Sequence, residues 1–176
     1  MEKNIGRWQS IGFIFTGIFG TFLHFLFDLT DGNLGAALIS AVNESIWEHL
    51  KLLFYPMVIF AFIEHRRWGK DIHHFWCVKL RGIMLGLILI PVLYYSYTGI
   101  LGTGADWFNI AIFFLVAGVV YWRETKLLQQ VGSGKCKPLI ALGIIGLIAV
   151  VFTMLTFFPP GIPLFQDPLD GTYGYQ

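Results

Sequence analysis

The sequence predicts an all-α fold: a polytopic membrane bundle of five transmembrane helices, N-terminus inside and C-terminus outside. Three observations carry this reading. Mean hydropathy is +0.66 with 13% charged residues. Five apolar runs, at 8–29, 44–64, 76–97, 106–123 and 138–158, approach the roughly 20 residues that a helix needs to cross a hydrocarbon core. Of the 12 Lys and Arg, all but Lys51 lie at the N-terminus (Lys3, Arg7), around the second connection (Arg66, Arg67, Lys70, Lys79, Arg81) or around the fourth (Arg123, Lys126, Lys135, Lys137). Positive charge stays on the cytoplasmic side, which orients the bundle. Buried helices of a soluble protein would need polar faces that the first, third and fifth runs hardly have. A net charge of +1 gives no case for nucleic acid.

The first span follows Lys3 and Arg7 as a signal peptide would. No small-x-small cleavage site follows closely and the run is long for such a segment, so it is expected to remain. Every fourth residue reads Gly12, Thr16, Gly20, His24, Asp28. Small residues at this spacing let a second helix approach closely. The same stripe then delivers His24 and Asp28 into the bundle near its outer end.

The second span opens with NESIWEHLK, Asn43 to Lys51. Asn43 suits an N-cap and Glu44 a first-turn acid. On a helical wheel Glu44, Glu48 and Lys51 share one stripe, with Ser45 and His49 beside it, while Ile46, Trp47 and Leu50 take the opposite side and are expected to meet lipid. Lys51 is spaced to pair with Glu48 or Glu44. At about 1.5 Å per residue, His24 lies roughly 9 Å below the outer end of its helix, and Glu48 and His49 at a similar depth in theirs. The outer connection, TDGNLGAALISAV, should bring the two sets together.

Glu64, His65, Arg66 and Arg67 read as a solvated cytoplasmic helix end, and His73 and His74 as the start of the third helix. There, Lys79 and Arg81 should snorkel to the inner surface. Gly82 and Gly86 form a GxxxG packing motif. Tyr94, Tyr95 and Tyr97 suit an aromatic belt, as Trp8, Trp68, Trp76, Trp107 and Trp122 suit interfacial anchors. Asp106 reads as a capping acid of the fourth helix. Cys77 and Cys136 fall on the reducing side, so no disulfide is expected. Residues 1–158 thus form the transmembrane domain and 159–176 an extracytoplasmic tail. Its Phe, Leu and Tyr residues suggest that it lies back on the outer surface, where Asp167 could reach the polar cluster; fraying is the default for a terminus.

Ionisable groups at this depth are expensive and tend to be paired and functional. His24, Asp28 and His49 are the candidate metal ligands or proton relay, Glu44 and Glu48 the candidate general bases with Ser45 beside them, and Lys51 and Asp167 the accessory residues. A zinc-like divalent metal accepts such mixed ligands and keeps an open position for water. A buried His24 hydrogen-bonded to Asp28 or to a backbone carbonyl is the simpler account of that residue.

The stretch NESIWEHLKLLFYP resembles a family of small bacterial membrane proteins of unknown function with an NESxWEHxKL signature. The H-x-x-x-D of the first helix, YYSYTGILG and the closing LFQDPLDGTYG extend the likeness nearly end to end. It implies a polytopic membrane protein of the bacterial cell membrane and no established activity. Ser45-x-x-x-His49 is also similar to the S-x-x-x-H of the second helix in the alkaline ceramidase and hemolysin III-like superfamily, which implies zinc-dependent hydrolysis. The H-x-x-x-H that supplies two further ligands there is missing here, so carboxylates such as Asp28, Glu44 or Asp167 would have to complete a site.

Three functions remain open at this stage. The polar site binds an ion, a proton or a membrane-protein partner; it belongs to a metal-dependent hydrolase acting on a lipid-like substrate; or it only pins two helices together.

Overall fold

A computed structural model of the chain describes residues 4–102, 106–130 and 137–175. Six α-helices occur among them: α1 (Ile5–Leu29), α2 (Leu34–Ala37), α3 (Ile46–Arg67), α4 (Phe75–Leu101), α5 (Asp106–Gln129) and α6 (Pro138–Phe157). No strand occurs among the described residues beyond an isolated bridge between Gln166 and Tyr173. By length and composition α1, α3, α4 and α6 can cross a membrane. The fifth expected span is α5, 24 residues long, which is not among those four. Asn109 near its start and Arg123, Glu124 and Lys126 near its end shorten its apolar stretch.

The five long helices run up and down. α3 is central: α1 and α4 pack against it directly, α5 closes the far side against α1 and α4, and α6 lies against α4 and α3. The core runs through Leu53, Phe54, Met57 and Ala61 of α3, Ile83 and Ile90 of α4, and Val116 and Val120 of α5. Outward faces are apolar as well. Ile11, Ile14, Ile18 and Phe22 on α1 and Leu139, Leu147, Val150 and Met154 on α6 are exposed, the pattern of helices solvated by hydrocarbon rather than water.

The small-residue stripe of α1 packs as the sequence indicates. A Cβ on Gly20 would lie 2.6 Å from the carbonyl oxygen of Leu52, so α1 meets the α3 backbone there. Thr16 hydrogen-bonds the Tyr121 hydroxyl at 2.8 Å and joins α1 to α5.

Several expectations change. α3 starts at Ile46, not Glu44: Ser45 is its N-cap and accepts from Glu48 N. Asn43 instead accepts from Ser45 N in the turn before it. Side-chain capping two residues later than expected removes Glu44 from the helical stripe. Ile46, Trp47 and Leu50 do not form a lipid face, because α3 is central: Leu50 is buried, and Trp47 stacks on Phe152 of α6 and Phe165 of the tail. Trp68 and Trp76 are buried too, packed on Phe75 instead of standing exposed as anchors. Trp107 and Trp122 are exposed. Cys77 is disulfide-bonded, not reduced as its compartment leads one to expect. Cys136 and Lys135 lie outside the described residues, as does the Asp106 side chain.

The tail is docked. Tyr175 N donates to Thr156 O and its hydroxyl to Gly32 O, while its ring packs on Phe27 and Phe157. Gly174 has φ +64, and a Cβ there would lie 2.5 Å from Thr156 O. Glycine is therefore what lets the tail settle onto the end of α6.

Candidate metal centre

At the end of the bundle where α1 finishes and α3 begins, three side chains converge. His24 comes from α1, His49 from the first turn of α3, and Glu44 from the turn before it. One ligand atom from each lies within 4.8 Å of the others. Glu44 Oε2 is 3.4 Å from His49 Nε2, and Glu44 Oε1 is 3.9 Å from His24 Nε2. The imidazole centroids are 5.2 Å apart. Ligand bonds of about 2.1 Å in a tetrahedron set donor separations of about 3.4 Å. Glu44 meets that separation from His49 with one oxygen and approaches it from His24 with the other, while the set taken with one atom per residue spans up to 4.8 Å.

The hydrogen bonds around His49 fix its tautomer. Its Nδ1 is 2.9 Å from Ser45 O; a carbonyl only accepts, so Nδ1 carries a proton, and Nε2, which faces Glu44, is the nitrogen available to a metal. A metal-binding histidine usually donates its other ring N–H to a carbonyl or carboxylate in this way. His24 Nδ1 is buried without a hydrogen-bond partner. All three residues are partly exposed, His24 at 30%, His49 at 31% and Glu44 at 43%, so the cluster opens to the surface of the bundle.

The remaining predicted residues separate into a support and an outlier. Asp28 is exposed at the end of α1 and does not join the three-residue group. Asp167 reaches the site through the backbone: its Oδ2 accepts from Glu44 N at 2.9 Å and its Oδ1 from Leu169 N at 2.7 Å. Asn43 Nδ2 donates to Gly174 O and ties the same turn to the tail. The Ser45 hydroxyl is engaged as the α3 cap.

Glu48 and Lys51 are 1% and 0% exposed and pair at 2.5 Å. Glu48 also accepts from Val42 N and from the Thr156 hydroxyl. Lys51 also donates to Ala37 O and to Thr156 Oγ1. Every charge in this knot has its partners, and the knot joins α3 to α6 and to the connection that carries α2.

A second polar cluster lies at the opposite end, where the basic helix ends suggest solvated residues instead. Lys79 of α4 pairs with Glu64 of α3 and, at 2.6 Å, with Glu124 of α5. Gln9 of α1 donates to Glu64 at 2.6 Å. Lys79 does not snorkel and Glu64 is not solvated: they are 2% and 0% exposed. The carboxylates of α3 and α5 hold the ammonium inside. His65, beside Glu64, packs between Phe75 and Trp76, and His74 contacts Leu127 O.

Among the described residues, fold and clusters together define an all-helical protein with four helices long and apolar enough to cross a lipid bilayer, buried ion pairs at both ends of its bundle and a mixed histidine–carboxylate group at one of them. The chain belongs to the family of unknown function DUF6512, whose profile matches residues 1–175. No curated protein and no solved structure matches it.

Proposed function

We propose that this chain is an integral protein of the cell membrane, five-spanning with its N-terminus inside, that binds a divalent transition-metal ion through His24, Glu44 and His49 on its outward side. The observation that carries the proposal is the convergence of three ligand atoms from separate segments within 4.8 Å. The tautomer of His49 supports it. Two imidazoles and a carboxylate suit zinc, and also iron(II). Basic residues at the Gln9 end favour the orientation. In this reading Asp167 and Ser45 hold the ligands, and Glu48 with Lys51 anchors the helix beneath them.

Partial exposure of all three ligands favours a second, catalytic reading. Three protein ligands with solvent access leave a coordination position for water, as in catalytic rather than structural zinc sites. The chain would then be a hydrolase of lipid-like substrates at the outer leaflet, with the metal activating that water.

Elemental analysis of the purified protein after zinc loading and desalting tests the binding. About one metal per chain is expected, with loss in both His24→Ala and His49→Ala. Folded, metal-free wild-type protein sinks the proposal. Hydrolysis of amide or ester lipids in vesicles by loaded protein, absent in those variants, then separates the catalytic reading from plain binding.

A further inference from the structure

The cluster at the opposite end differs from the Glu48–Lys51 knot in its charge count. Glu48 and Lys51 balance, whereas Lys79 faces two carboxylates, Glu64 and Glu124. All three residues are at most 2% exposed, so with both acids ionised the bundle would bury an uncompensated negative charge. At such low exposure bulk solvent does not offset the charge, and a buried unpaired charge is strongly unfavourable.

The two acids are not equivalent. Glu64 is held by Lys79 and by the Gln9 amide. Glu124 has Lys79 on Oε2, but its Oε1 is buried with no hydrogen-bond partner. That oxygen is packed against Gly82, where a Cβ would lie only 2.1 Å away. An ionised carboxylate with one oxygen lacking a donor holds its charge poorly, and a proton on that oxygen removes the charge. A metal ion does not fit, because the Lys79 ammonium already occupies the space between the carboxylates. The titratable groups that face Glu124 are Lys79 from α4, Glu64 from α3 and Tyr121 from α5 itself; α1 contributes only Gln9 and Thr16, which do not titrate.

We infer that Glu64, Lys79 and Glu124 form a proton-binding site inside the bundle, in which Glu124 carries the one proton that brings the triad to neutrality. Binding converts the Glu124 carboxylate to a carboxylic acid and releasing that proton restores it; no other bond changes. Along α1 the site lies about 22 Å from the His24 group, counting 15 residues at 1.5 Å each from Gln9. It does not depend on metal binding there.

Infrared spectroscopy of the whole protein in lipid nanodiscs tests this. At neutral pH the wild type should show the C=O stretch of one buried carboxylic acid, and base should remove it as a carboxylate band grows. Glu124→Gln should abolish the band. Glu64→Gln should abolish it as well, because one acid then suffices to balance Lys79. No such band in folded wild type at neutral pH overturns the inference, and so does a band that survives in folded Glu124→Gln or Glu64→Gln. If either variant fails to fold, the alkaline titration of the wild type decides: loss of one acid band in a single step supports the site, and its absence refutes it.

Discussion

Glu44 Oε2 stands 3.4 Å from His49 Nε2, although Glu44 lies outside the helix that carries His49. The contact exists because the α3 N-cap falls on Ser45, which turns Glu44 back across the helix end toward both imidazoles. A Ser45→Ala variant loses the side-chain cap and should lower stability by about 1 kcal/mol. It should also weaken zinc binding, since the same turn aims Glu44. Thermal unfolding with and without zinc reads both effects; unchanged zinc affinity would mean that the cap does not set the ligand geometry.

Asp167 should behave as a positioning residue. Asp167→Ala removes the acceptor for Glu44 N and Leu169 N and leaves His24, Glu44 and His49 in place. Loss of such an outer-shell group typically costs about 10- to 100-fold in metal affinity. Competition with a zinc chelator measures it, and a variant that binds as the wild type does would remove the tail from the site.

Lys51→Met strands Glu48 in a buried position, which should destabilise the fold by about 3–5 kcal/mol. The double variant Lys51→Met with Glu48→Gln should recover a large part of that loss, because no uncompensated charge remains. Equal unfolding midpoints for the single and double variants would contradict the pairing.

Gly82→Ala forces a methyl group into the carboxylate of Glu124, whose Oε1, Cδ and Cγ would lie within 2.1–2.9 Å of it. Since Lys79 holds that side chain, overpacking should cost about 1–3 kcal/mol. Gly143→Ala in α6 meets nothing within 4 Å and should be neutral or stabilising, which makes it the matched control in the same unfolding assay.

Acid should release the metal. Both imidazoles bind only without a proton on the ligand nitrogen, so protons compete with zinc and binding displaces them. Zinc affinity measured in buffers of falling pH should therefore drop; a flat profile would exclude histidine ligation.

Much of this was legible in the sequence, for physical reasons that also explain the gaps. The i, i+4 stripe of α1 correctly turns His24 inward, because Gly12, Thr16 and Gly20 on that face mark where a neighbour packs. Asp28, one turn further along the same stripe, is exposed and stands outside the three-residue group. Glu44 was read as a helical residue because a Ser three positions before Glu48 competes with Asn43 as cap, and only the observed hydrogen bonds decide between them. The Lys79 triad escaped because Glu64 and Lys79 stand beside basic helix ends that read as solvated. A signal was present: Lys79, Gly82 and Gly86 share one face of α4, and Gln9, Gly12 and Thr16 one face of α1. A polar residue in line with packing glycines points into the bundle.

In the proposed function two imidazoles and one carboxylate hold a metal ion. X-ray absorption at the zinc edge on protein loaded with one equivalent addresses it most directly. The account predicts two imidazole shells and one carboxylate oxygen at about 2.0–2.2 Å, with imidazole scattering reduced to one ring in His24→Ala or His49→Ala. A spectrum with no imidazole shell, or one unchanged in both variants, would contradict it.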